Sequence, residues 1–197
     1  MQTLKTLAVI MGVTAISSCC LLAGGKGTKS AAIKSHRGQQ KQERKSHFKQ
    51  QKTENKAFRQ SVKEVKGAEK TDAIVQHRET QYQENKAFSQ TQHAENMTFL
   101  QERLSKNKKL TDTQKNELTS FFESQYQENV SFRDTRHSAN IAYFESVAND
   151  TTLTMAQKKK KLKTYMQKQK ATTKSHIKEQ TAERKAQRTK IHSEVQQ

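Results

Sequence analysis

The sequence predicts an all-α protein of long antiparallel helices in a thin hairpin or bundle, and three observations carry that expectation. Proline is absent from all 197 residues, which removes the strongest helix breaker. Glycine nearly disappears after residue 38, leaving only Gly67. One phrase also repeats: Gln81-Tyr82-Gln83-Glu84-Asn85-Lys86-Ala87-Phe88 returns 44 residues later as Gln125-Tyr126-Gln127-Glu128-Asn129-Val130-Ser131-Phe132. Within it runs a beat of 11, from Phe88 to Phe99 and through Phe121, Phe132 and Tyr143. Eleven residues make three turns at 3.67 per turn, the period of long, nearly straight helices of coiled-coil type. With only 31% hydrophobic residues, no Trp and a mean hydropathy of −1.07, the chain cannot fill a thick core. Thin layers, a homodimer or partial disorder are therefore expected.

Residues 1–25 read as an export signal: Lys5 gives a short basic region and Leu7 to Ile16 an apolar one. Ile16-Ser17-Ser18-Cys19 resembles the lipobox of bacterial lipoproteins, which makes Cys19 the lipidation candidate and places cleavage before it. Cleavage near Ala23–Gly25 and a retained anchor stay open as alternatives. All three readings place the rest of the chain outside the cytoplasm, in a periplasm, and two of them, the lipoprotein and the retained anchor, tie it to a membrane. Both cysteines, Cys19 and Cys20, lie in this segment, so no disulfide framework supports the body. Residues 26–30 form a basic, flexible tether.

A basic first helix of marginal stability is expected over 31–66, where apolar residues are few, with Gly67 ending it in a left-handed conformation. A helical repeat domain follows over 72–197, with helices near 72–106, 112–148 and 155–195. Thr111 with Gln114, and Thr154 with Gln157, have the spacing of capping boxes that open the last two helices. A hydrophobic staple fails at both, because the N4 residues are Lys115 and Lys158. Leu110 and Leu153 are therefore expected to pack on a neighbouring helix.

Two Leu-Thr-x-x-Gln motifs, Leu110-Thr111-Asp112-Thr113-Gln114 and Leu153-Thr154-Met155-Ala156-Gln157, each open a helix in a basic all-helical chain. They resemble the signature of the Spy/CpxP family of small periplasmic stress proteins. The resemblance implies an ATP-independent chaperone built as a thin, curved helical dimer. The motif spacing of 43 and the Glu-Asn-x-x-Phe repeats depart from that family's pattern.

No Gly-rich phosphate loop and no Ser-His-Asp or Cys-His arrangement can be assembled, so a non-enzymatic protein without cofactor is expected. Seven histidines include no pair at i,i+3 or i,i+4 and have no Cys beside them, so no metal site is expected and they read as exposed side chains on polar helices. The formal charge of +18 is uneven: residues 26–66 and 157–197 each carry 13 Lys/Arg against 3 acids, and residues 67–156 carry 10 against 13. Lys158, Lys159, Lys160 and Lys161 follow the Thr154 cap, where the helix dipole disfavours cations, and are the candidate anion-binding run. The aromatic ladder Phe88, Phe99, Phe121, Phe132 and Tyr143 is the candidate client-binding surface, with Phe132 expected to be the more structural and Phe88 the more exposed. The partners expected are unfolded or acidic proteins and an anionic membrane or cell-wall surface. Nucleic acid would bind any chain this basic by counterion release and is not expected as a physiological partner. The rival reading is a structural envelope lipoprotein whose basic arms bind anionic polymers, lipid headgroups or mineral surfaces.

Overall fold

A computed structural model of the chain describes residues 31–196, so Cys19 and the export segment lie outside the described residues. Four helices account for nearly all of it: α1 (Ala31–Ser61), α2 (Gly67–Ser105), α3 (Asp112–Asn149) and α4 (Met155–Val195). At 1.5 Å per residue, α2 to α4 are each about 57–62 Å long. There is no strand among the described residues. Helix formers such as Gln, Lys, Glu and Ala dominate each segment.

The helix starts have local causes. Thr111 accepts from Gln114 N while the Gln114 side chain accepts from Thr111 N, and Thr154 and Gln157 repeat the exchange at α4. Gly67 differs from its expected role. The first helix already ends at Ser61, and Gly67 opens α2 with φ +60° after a Lys66 that makes no side-chain cap. That positive φ suits glycine because a Cβ would crowd the backbone there. No cap closes the gap of five residues between the helices, and α2 starts five residues earlier than the pattern suggested.

Successive helices run antiparallel. His36 faces Phe99, His47 faces Phe88 and Phe58 faces His77, so each step of 11 up α1 is a step of 11 down α2. Tyr82 with His137 and His93 with Tyr126 set the same relation between α2 and α3. Phe132 with His176 and Tyr143 with Tyr165 set it between α3 and α4. On α2 the residues facing α3 (Tyr82, Ser89, His93) follow those facing α1 (Gln81, Phe88, Gln92) by one position. On α3 the residues facing α2 (Tyr126, Arg133) likewise follow those facing α4 (Gln125, Phe132) by one. One position is a rotation of 100°. Because α2 and α3 are antiparallel, two rotations of the same sense bring α1 and α4 to the same side of the α2–α3 hairpin. The result is an up-down-up-down four-helix arrangement. The packed pairs are α1 with α2, α2 with α3 and α3 with α4.

The apolar core sits at one end. Leu100, Leu104, Leu110, Leu118, Phe122 and Ile191 form one buried cluster, with Met97 and Phe121 against it. Leu110 thus finds neighbours on α2, α3 and α4 in place of a staple. Midway along, most of the buried residues are polar, Ser89, Gln92, Asn96, Gln125, Asn129 and Gln180, beside the rings of Tyr82 and Tyr126.

Candidate anion-binding face

Six of the seven histidines lie flat on an aromatic ring of the neighbouring helix, with ring centroids 3.6–4.3 Å apart and planes within 14°. Each imidazole also reaches an acceptor three residues before that ring. His36, His47, His77 and His176 meet Asn96, Asn85, Asn55 and Asn129 at 2.9–3.0 Å. His93 and His137 meet Glu123 and Glu79 at 2.8 and 2.6 Å. Residues three apart are neighbours on one helix face, so ring and acceptor form a single seat. Asn55, Asn85 and Asn129 each donate Nδ2 to the carbonyl four residues back. That fixes Oδ1 as the outward atom, and the histidine Nε2–H is then the donor.

The reading of these histidines as exposed is therefore corrected: all six are half-buried in helix–helix joints. A zinc-style search looks along one helix, whereas the partner of each ring lies on the next. The usable signal was the pair of patterns His-x3-Gln-x2-Glu-Arg, at His36–Arg44 and His176–Arg184, and Gln-x3-Asn-x2-Phe, at Gln92–Phe99 and Gln125–Phe132. They dock through the same Arg and Glu contacts. Arg44 donates to Gln92 Oε1 at 3.3 Å and Arg184 to Gln125 Oε1 at 3.1 Å. Gln92 donates to Glu43, and Gln125 to Glu183 at 2.8 Å.

The ladder residues have a different placement from a surface offered to clients. Phe88, Phe99 and Phe132 are half-buried under His47, His36 and His176, and Tyr143 is stacked on Tyr165. Phe121 meets Phe122 edge to face at 5.5 Å beside the core. Phe88 and Phe132 occupy equivalent joints, so the expected difference between them is absent. At Tyr143 the imidazole is replaced by Tyr165, and Asn140 Oδ1, three residues before the ring, is buried without a protein partner.

The inner interface carries charged contacts of its own. Lys86 bridges Asp134 at 3.1 Å and Tyr82 donates to the same carboxylate. Burial, followed by that bond, raises the Tyr82 hydroxyl far above its usual range. Arg78 lies 4.1 Å over the Phe144 ring, and burial lowers it to about 10. Glu79 and Glu123 are held below the usual carboxylate range, first by bonds from Gln83 and Gln127 and next by those from His137 and His93.

Charge separates by helix. α1 has 9 Lys/Arg against 2 acids and α4 has 13 against 3, whereas α2 has 4 against 6 and α3 has 3 against 6. Since α1 and α4 share one side of the hairpin, the bundle presents one strongly basic face and one mildly acidic face. Lys159, Lys160 and Lys161 are exposed on the basic side, and Lys158 is half-buried with its ammonium on the Ala148 carbonyl at 2.6 Å. Lys160 and Lys161 also line a shallow cavity of about 340 Å³ with Tyr143, Leu153, Gln157 and Thr164. Among the described residues, no group of three or more His, Cys, Asp or Glu is placed to hold a metal, and no helix is long and apolar enough to cross a membrane. Set against protein-family models, curated proteins and solved structures, the chain finds no match.

Proposed function

We propose that this is an exported, non-enzymatic helical binding protein, of the periplasmic ATP-independent chaperone or envelope-stress type that the Leu-Thr-x-x-Gln resemblance suggests. Its grip lies on the α1/α4 face. The observation that carries this reading is the segregation of charge onto two helices on one side of the bundle, while the ladder rings are engaged in joints. Long-range attraction would gather acidic partners on that face, and binding through exposed lysines is weak enough to reverse without ATP. A lipid at Cys19 would hold the face close to a membrane, and a homodimer would double its extent.

The same segregation favours the rival, a structural envelope lipoprotein that binds anionic polymer, lipid headgroups or mineral. A pull-down from an envelope fraction at two salt concentrations separates them. The chaperone reading expects proteins in the eluate, together with suppression of aggregation of a denatured model protein at near-stoichiometric ratio and physiological salt. The rival expects polymer or lipid, lost steeply as salt rises. Recovery of neither, and no loss of binding when α4 lysines are changed to Gln, would sink the basic-face reading.

A further inference from the structure

The basic face contains two exposed apolar side chains at matching positions. Phe48 is 69% exposed and Ile177 is 37% exposed. Each follows a joint histidine by one residue, His47 on Phe88 and His176 on Phe132. These two joints lie at the same height, because the α2–α3 register set by His93–Tyr126 and Tyr82–His137 puts Phe88 opposite residue 131, next to Phe132. One residue further is 100° further round the helix. On antiparallel helices flanking the same side of the hairpin, that rotation turns both Phe48 and Ile177 towards the gap between α1 and α4.

The same rotation brings lysines to that gap above and below them. Lys41 and Lys52 stand about three turns apart on α1 and flank Phe48, and Lys163 and Lys170 share the corresponding side of α4. All four are exposed, and none of them is in an ion pair. Charge repulsion between two helices this basic opposes their closing on each other, which accords with the exposure of Phe48.

Resting on the basic-face reading, we infer that the α1–α4 gap is a docking cleft for an acidic polypeptide segment carrying a bulky apolar side chain. Its carboxylates would lie along Lys41, Lys52, Lys163 and Lys170, and its apolar residue would cover Phe48 and Ile177. A purely ionic polymer would neutralise the lysines and leave these two side chains in water. A membrane surface would call for a broad apolar stripe, where the face has one central spot. A segment of alternating acids around one Leu or Phe satisfies both elements, and its apolar contact would fix the register that charge alone leaves free.

The test uses the full chain and three probes: a fluorescent peptide of Asp/Glu around a central Phe, the same peptide with Ser at the centre, and inorganic polyphosphate. The Phe peptide is expected to bind roughly tenfold more tightly than the Ser peptide, the scale for one large apolar group only partly covered. Phe48→Ala is expected to remove that preference while leaving helicity and polyphosphate affinity unchanged. Ile177→Ala should do the same to a lesser degree. Changing Lys41, Lys52, Lys163 and Lys170 together to Gln is expected to weaken all three probes. Equal affinity for the two peptides, or a Phe48→Ala variant that keeps the preference, overturns the cleft while leaving the basic face standing. Stronger binding to anionic lipid vesicles than to the Phe peptide overturns it in favour of a membrane. Failure of every anionic probe to bind overturns both the cleft and the basic face.

Discussion

The inner hairpin α2–α3 and the outer helices α1 and α4 use the same stacked joint with different chemistry. Between α2 and α3 the imidazole rests on Tyr and meets Glu. On the outer helices it rests on Phe and meets Asn. The inner pair adds the Lys86–Asp134 bridge, Arg78 over Phe144 and most of the leucine cluster. The outer helices bury little: Ile33 and Gln40 on α1, Gln180 and Ile191 on α4. In the outer joints each Arg is matched by the neighbouring Glu, Arg44 by Glu43 and Arg184 by Glu183, so the joint gains no net charge and the excess of positive charge lies on the helix's free side. The hairpin is the scaffold, and the outer helices carry the proposed binding face.

Four changes would break or sharpen that contrast. The largest effect is expected from Phe122→Ala. Phe122 is fully buried in the cluster, and its truncation should cost about 3–5 kcal/mol, enough to melt a thin bundle near room temperature. A chemical denaturation midpoint close to wild type would mean that the leucine end is not the core.

A double-mutant cycle on His176→Ala and Phe132→Ala comes next. Each single change should lower stability, and their coupling should be about 0.5–1.5 kcal/mol, the value of an aromatic pair beyond its buried area. The cycle on His93 and Tyr126 should give a larger coupling, because Glu123 ties the inner joint as well. Equal or zero couplings would remove the distinction between inner and outer joints.

Thr111→Ala and Thr154→Ala should each cost about 1 kcal/mol as lost N-caps. Thr154→Ala should loosen only α4, visible as faster amide exchange there, whereas Thr111→Ala should loosen the hairpin. Uniform exchange changes from both would mean that the bundle opens as one unit.

The smallest expected effect is one of pH. Burial lowers the His77 pKa below its ordinary 6.5, against the pull of Glu54 and Glu84. The unfolded chain then binds the proton more readily just below pH 6.5, so the stability from this outer joint is full above that pH and declines as pH falls towards the folded value. Glu79 and Glu123 are depressed from 4.5. Their contribution is therefore present above that value and is lost only as pH falls through their lower folded ones. Acid should thus weaken the α1–α2 joint before the hairpin, and His77→Gln should flatten the slope just below pH 6.5. A variant with the wild-type slope would assign it to another group.

The hendecad beat was legible because every phrase position returns to the same helix face, and the Thr-x-x-Gln caps were legible because both partners sit within one turn. The histidines were misread for the opposite reason: His47 and Phe88 are 41 residues apart in sequence, and only the antiparallel register brings them together. Gly67 was misassigned because a positive φ is equally useful where one helix ends and where the next begins.

What the sequence determined alone is everything that acts within a few residues. That covers helix over nearly the whole described chain, its two capped starts, the repeat of ring and amide, and the division of charge along the chain. The tertiary structure decided which face each helix turns to its neighbour. That choice put the ladder rings into joints and brought the two basic helices to one side of the hairpin. It also left Phe48 and Ile177 exposed at matching heights on the two basic helices. The physical reason is that a helix fixes its side chains only in rotation about its own axis. Where those side chains meet others depends on a register that long-range contacts alone can set.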